Sequence, residues 1–131
     1  MTALLKITKT EGAVTILHLE GHLDGKTEND FIERARITVN NGARFLLLDL
    51  GGVDMITSAG LRALHSIYKM CNSQIDAEEW RKSHEGKTYR SPHFKLAAAS
   101  SQVEHILGIS GFLQNISMYT TLQEAIDSFA E

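Results

Sequence analysis

Phe45 to Leu50 is a compact apolar run interrupted only by Asp49. Its length of about six residues favours a strand over a helix, and it reads as one buried on both faces. Such a strand belongs in the middle of a sheet, and the rest of the chain must supply the helices that cover it.

The flanking patterns do so. Val14 to Leu19 is a second aliphatic run that Glu20-Gly21 ends, and Ala3 to Thr8 is placed to pair with it across an Glu11-Gly12 turn. Thr27 stands three residues before Asp30, an acidic variant of the capping box. Phe31, Ile32, Ala35 and Val39 then follow at helical spacing until Asn40-Asn41-Gly42 stops them, which leaves Glu28, Glu33, Arg34 and Arg36 for solvent. Beyond a Gly51-Gly52-Val53-Asp54 loop, Leu61, Leu64, Ile67, Tyr68 and Cys71 predict a helix from about Ser58 to Asn72. Phe94 to Ala99 reads as a strand, and Ser101 with Glu104 as a capping box before a helix that Gly108 and Gly111 end. Ile116 to Tyr119 is a last strand, and Thr121 with Glu124 caps a helix striped by Leu122, Ala125, Ile126 and Phe129. The order ββαβαβαβα implies an α/β fold: an N-terminal hairpin followed by mostly parallel pairing with right-handed crossovers.

With 131 residues, the chain is read as a single domain spanning 1–131. One segment breaks the rhythm, an inserted loop at about 73–93 that is rich in charge and holds Trp80, Tyr89 and Pro92, with a short helix expected over Asp76 to Ser83. Thirteen Lys and Arg against sixteen Asp and Glu leave a net charge of −3, which argues against nucleic acid as a partner, including through the small basic stretch Lys87-Thr88-Tyr89-Arg90. Cys71 is the only cysteine, so no disulfide framework or Cys-x-x-Cys pair exists. No apolar stretch nears the roughly 18 residues needed to cross a bilayer, and no signal-peptide pattern opens the chain. A cytoplasmic protein without direct membrane insertion is expected.

Few residues offer catalytic chemistry. Ser58 stands in Thr57-Ser58-Ala59-Gly60, which lacks the leading Gly of a nucleophile elbow, and no His–Asp pair can be assigned to it. His18, Glu20, His22 and Asp24 alternate as metal ligands on one strand face could, but Gly21 is expected to break the strand before the set is complete. His65, His84, His93 and His105 show no ligand spacing. The expectation is no enzyme, no catalytic residues, no metal and no cofactor. The plain reading of Thr57 and Ser58 is as helix caps.

A wider pattern adds to that reading. Asp49-Leu50-Gly51-Gly52-Val53-Asp54-Met55-Ile56-Thr57-Ser58-Ala59-Gly60-Leu61 resembles the signature of the STAS family, the domain shared by sulfate transporters and bacterial anti-sigma factor antagonists. Two further elements stand in family order: Leu19-Glu20-Gly21-His22-Leu23-Asp24, and Ile106-Leu107-Gly108-Ile109-Ser110-Gly111-Phe112. The resemblance implies a STAS-like mixed sheet of four to five strands with about four helices. In antagonist members the residue matching Ser58 is the phosphoacceptor for a kinase that is also an anti-sigma factor, of the histidine-kinase-type ATPase fold. By the same carry-over Asp24, Thr57, Ser58, Ala59 and Gly60 form the partner-binding surface. Many switching members have Asp before the acceptor, where this chain has Thr57, a second candidate acceptor. The resemblance thus implies a phospho-switched anti-sigma factor antagonist or, alternatively, a constitutive STAS subunit of a membrane transport or signalling complex.

Overall fold

The computed structural model describes residues 5–71, 82 and 91–130. Among these, the elements are β1 (Leu5–Thr10), β2 (Thr15–Leu23), α1 (Glu28–Asn40), β3 (Leu46–Ile56), α2 (Ser58–Cys71), β4 (Phe94–Ala97), α3 (Ser101–Ile109), a 3-10 turn (Phe112–Gln114), β5 (Ser117–Tyr119) and α4 (Leu122–Ser128). The loop expected at 73–93 and its helix over 76–83 lie outside the described residues, apart from Lys82 and the segment from Ser91 to His93.

The five strands form one sheet in sequence order, β1 antiparallel to β2 and every later pair parallel. The architecture is the mixed α/β one expected, with β3 in the middle. Its Leu46, Leu47, Leu48 and Leu50 are at most 1% exposed, each contributing up to about 3 kcal/mol through lost contact with water. The larger core lies on the face where Leu17, Leu19, Leu48 and Leu50 meet Phe31 and Ala35 of α1, Leu64 and Ile67 of α2, and Val103 and Leu107 of α3. The crossover helices α1, α2 and α3 share this face, as crossovers of one hand stepping one way across a sheet require. On the other face α4 packs Ala125 and Phe129 onto Ile16, Leu47 and Ala97.

Several boundaries differ from the sequence expectations. Gly21 does not end β2, which continues to Leu23 with Gly21 at φ 120°. Nor do Gly51 and Gly52 form a loop. β3 carries them for eleven residues against nine in β2, and takes up the excess in two register shifts, between His18 and Glu20 and between Gly21 and His22 of β2. A Cβ on Gly52 would come within 2.8 Å of the Leu19 carbonyl oxygen and 3.0 Å of Glu20 Cα, so only glycine fits the close strand approach at the first shift.

The caps differ too. Thr27 precedes α1 but makes no side-chain cap bond. Its hydroxyl points inward, 3% exposed, and donates to the His22 carbonyl at 2.8 Å. Asp24 does the capping instead, its Oδ1 accepting from the backbone N–H of Lys26 at 3.0 Å and of Thr27 at 3.2 Å. Ser100, one residue before the expected Ser101, caps α3 by accepting from Val103 N–H, and α3 runs past Gly108 to Ile109. At α4 the expected cap holds: Thr121 accepts from Glu124 N–H at 3.2 Å and donates to the Glu124 carboxylate at 3.0 Å.

Candidate functional site

β2 and β3 end together, Leu23 paired with Ile56. Because they are parallel, the chain leaves the sheet twice at the same end, once into Asp24 and once into Thr57. A single residue, Thr57, separates β3 from α2. Its N–H donates to the Leu23 carbonyl at 2.9 Å and its hydroxyl reaches the same oxygen at 3.4 Å, while its own carbonyl accepts from Leu61 N–H to close the first helical turn. Thr57 is thus turned toward β2. Ser58, the first residue of α2, is exposed, and its side chain makes no hydrogen bond among the described residues.

Gly60 explains how the two turns come so close. A Cβ there would lie 2.9 Å from Ile56 Cγ1 and from Leu23 Cβ, and nearer still to the Leu23 carbonyl oxygen. Ala59 lies beside Gly25 in the same seam. Both Ala59 and Gly60 are buried. Of the five residues expected at a partner surface, Ser58 presents its side chain to solvent, Asp24 and Thr57 are half-buried, and Ala59 and Gly60 shape the surface from beneath.

Asp24 holds its own turn through the two backbone bonds already described, so its carboxylate is committed locally as well as placed at the Ser58 end. Arg62, one helical turn after Ser58, forks onto Glu28 of α1, with Nε 3.2 Å from Oε2 and a terminal nitrogen 3.4 Å from Oε1. Ser58, Leu61, Arg62, His65, Lys69 and Phe112 line an open groove of about 610 Å³ between α2 and the 3-10 turn. The serine hydroxyl therefore stands at the head of a groove with two cationic side chains and an aromatic ring. Neither Arg62 nor Lys69 was singled out from the sequence, although Arg62 is i+4 from Ser58 and so shares its helix face. Phe112 belongs to the third sequence element quoted above.

The described residues hold no group of three or more His, Cys, Asp or Glu side chains able to bind a metal. His18, Glu20 and His22 do share one sheet face, since β2 is unbroken, but His18 is engaged elsewhere. Its Nδ1 meets Asp49 Oδ2 at 2.7 Å and its Nε2 meets Thr10 Oγ1 at 2.9 Å, while Asp49 Oδ1 accepts from Gly51 N–H at 2.9 Å. This three-strand network was not foreseen. Asp49 points to the face that Leu47 shares with α4, whereas Ser58 opens a helix on the opposite face, so the His–Asp pair does not serve Ser58. Among the described residues, no helix is long and apolar enough to cross a membrane.

A family model, the STAS domain, matches residues 5–76. No curated protein sequence matches the chain closely enough to count as a relative. The fold is similar to an anti-sigma factor antagonist from Mycobacterium paratuberculosis (TM-score 0.77, 16% identity, 97% of this chain and 95% of that one). It is also similar to a putative anti-sigma factor antagonist from Thermotoga maritima (TM-score 0.75, 20% identity, 95% of both chains). The phosphorylated form of the Bacillus cell fate determinant SpoIIAA is more distant, with a TM-score of 0.59 at 14% identity over 94% of this chain and 96% of that one. At such identities the likeness speaks to the fold.

Proposed function

The chain belongs to the STAS domain family, and from that premise we propose that it is a non-enzymatic, cytoplasmic anti-sigma factor antagonist, switched by phosphorylation of Ser58. The observation that carries the reading is the exposed, unbonded Ser58 hydroxyl at the head of α2, beside a groove a protein partner can enter. The partner is an anti-sigma factor that doubles as a serine kinase of the histidine-kinase-type ATPase fold. It transfers the γ-phosphoryl group of ATP to Ser58 Oγ, with loss of the hydroxyl proton and release of ADP.

The electrostatics suit a switch that leaves the fold alone. A phosphate adds about −1.5 to −2 charges, and at a helix N-terminus this is worth about 0.3–1 kcal/mol in favour of the folded chain. At a docked interface the same group must shed water beside Asp24 and Asp54. That costs several kcal/mol, and each ~1.4 kcal/mol is tenfold in affinity. Thr57, with its hydroxyl on the Leu23 carbonyl, is the less accessible of the two candidate acceptors.

Intact-mass spectrometry of the protein from its native cell, with peptide mapping, tests the acceptor. A population one phosphate heavier, mapped to Ser58, is expected. Ser58→Ala should keep partner binding and Ser58→Glu should lower it by tenfold to several hundredfold, while both melt within a few degrees of the parent. The absence of a carboxylate before Ser58 favours a second reading, a constitutive STAS subunit of a membrane transport or signalling complex. An unmodified native protein whose Ser58→Glu variant binds its partner as tightly as the parent would establish that reading instead.

A further inference from the structure

A second cavity lies at the opposite end of the sheet, where the parallel strands begin. It measures about 470 Å³ and is lined by Arg44 and Phe45 before β3, His93 and Lys95 at the start of β4, and Ser128 and Phe129 at the end of α4. That volume falls in the usual range for small-molecule pockets and far exceeds the roughly 30 Å³ share of one water. Among the described residues, none of those lining it is acidic.

Lys95 is the unusual member. It is 8% exposed, yet no carboxylate meets its ammonium among the described residues. Nζ donates to the Ser128 hydroxyl at 2.8 Å and the Ser128 carbonyl at 3.2 Å, and stands 4.6 Å from the centre of the Phe129 ring. Its third donor faces only aromatic rings, Phe129 and, at 5.6 Å, Tyr119, and a buried cation without a counter-charge among the described residues favours an anion beside it. Arg44 adds a second positive group, its guanidinium 5.5 Å over the Phe45 ring. Phe45 in turn stacks on His93 at 6.0 Å, with the rings 18° apart, and meets Phe129 at 5.4 Å. Two cations and three flat rings around one opening suit an anionic group carried on a flat apolar body.

We propose that this cavity binds a small organic anion, its charged group held by Lys95 and Arg44 and its planar apolar body by Phe45, His93 and Phe129. The alternative role for Lys95, satisfying the last carbonyls of α4 and nothing more, predicts no ligand.

The test is titration of the isotope-labelled full chain with phenyl phosphate and, separately, inorganic phosphate, followed by amide NMR shifts. Phenyl phosphate should move His93, Lys95 and Ser128 saturably and bind about tenfold tighter than inorganic phosphate. Arg44→Gln, an exposed substitution that leaves the core untouched, should weaken binding about tenfold without changing the melting temperature, and Lys95→Met should weaken it at least as much. Absence of saturable shifts, equal affinity for the two phosphates, or unchanged affinity in Arg44→Gln would each overturn the proposal. Those results bear on no part of the Ser58 reading, whose site lies at the other end of the strands.

Discussion

Glycine to alanine inside a helix normally stabilises a protein, and here the same substitution should have opposite signs in two helices. At Gly108, within α3, an added Cβ meets nothing within 4 Å, so Gly108→Ala should gain about 0.4–1 kcal/mol from the lower entropy of the unfolded chain. At Gly60, within α2, the added Cβ stands 2.9 Å from two side-chain carbons, against an ordinary carbon–carbon separation of about 3.5–4.0 Å. The nearest obstacle is backbone, the Leu23 carbonyl, which already holds Thr57 N–H at 2.9 Å. α2 must retreat by half an ångström or more, at a typical overpacking cost of about 1–3 kcal/mol, with about 1 kcal/mol more for the weakened hydrogen bond. Subtracting the helix-propensity gain of about 1 kcal/mol leaves Gly60→Ala destabilised by about 1–3 kcal/mol. Urea unfolding of parent and both variants, with matching slopes, measures the difference, and calorimetry should show Gly60→Ala melting several degrees lower. A Gly60→Ala protein as stable as the parent, with Gly108→Ala behaving as expected, would show that the two turns are not held in contact as described.

Asp24→Ala should lose the bonds to Lys26 and Thr27 N–H and about 0.5–2 kcal/mol in the same unfolding assay, whereas Asp24→Asn keeps an acceptor oxygen and should stay within about 0.5 kcal/mol of the parent. The Asn variant therefore separates any loss of partner binding from loss of fold. Burial pushes the Cys71 thiol up to about 12. At pH 8 iodoacetamide should label it far more slowly in the native chain than in denaturant, since roughly a thousandfold less thiolate is present. Its pKa is raised on folding, so its contribution to stability is intact below the unfolded value near 9 and declines as pH rises from there toward 12. Native labelling at the rate of a free thiol would refute the burial.

How much was legible follows from how far apart the interacting residues are in sequence. Phe45 to Leu50 announces a central strand because burial on both faces leaves a continuous apolar run, and Thr121 with Glu124 announces a cap because both partners lie within one turn. Ser58 was placed at a helix start by the same local logic. Gly51 and Gly52 misled because glycine usually breaks strands, whereas here Gly52 answers a close approach by β2, some thirty positions earlier. Thr27 misled because its hydroxyl found the His22 carbonyl, and Asp24 was free to take over the cap. The His18–Asp49 contact has no local signature at all. It becomes visible only once β2 and β3 are placed in register, which pairs the two residues directly. Which face α4 takes is likewise undecidable from its own stripe, since that stripe says what is buried and not against which side of the sheet.

The one-residue passage from β3 to α2 fixes the phase of the helix as well as its position. With 3.6 residues per turn, each residue added or removed at Thr57 would rotate everything downstream by about 100°. A single insertion there would turn Ser58 and the Arg62 row away from the groove and drive a side chain into the seam that Gly60 keeps open, even with every amino acid otherwise retained. The hairpin turn between β1 and β2 has no helix phased to it and can change length far more freely. For this chain, then, the length of the passage after β3 is as much a determinant of the surface as the identity of the serine.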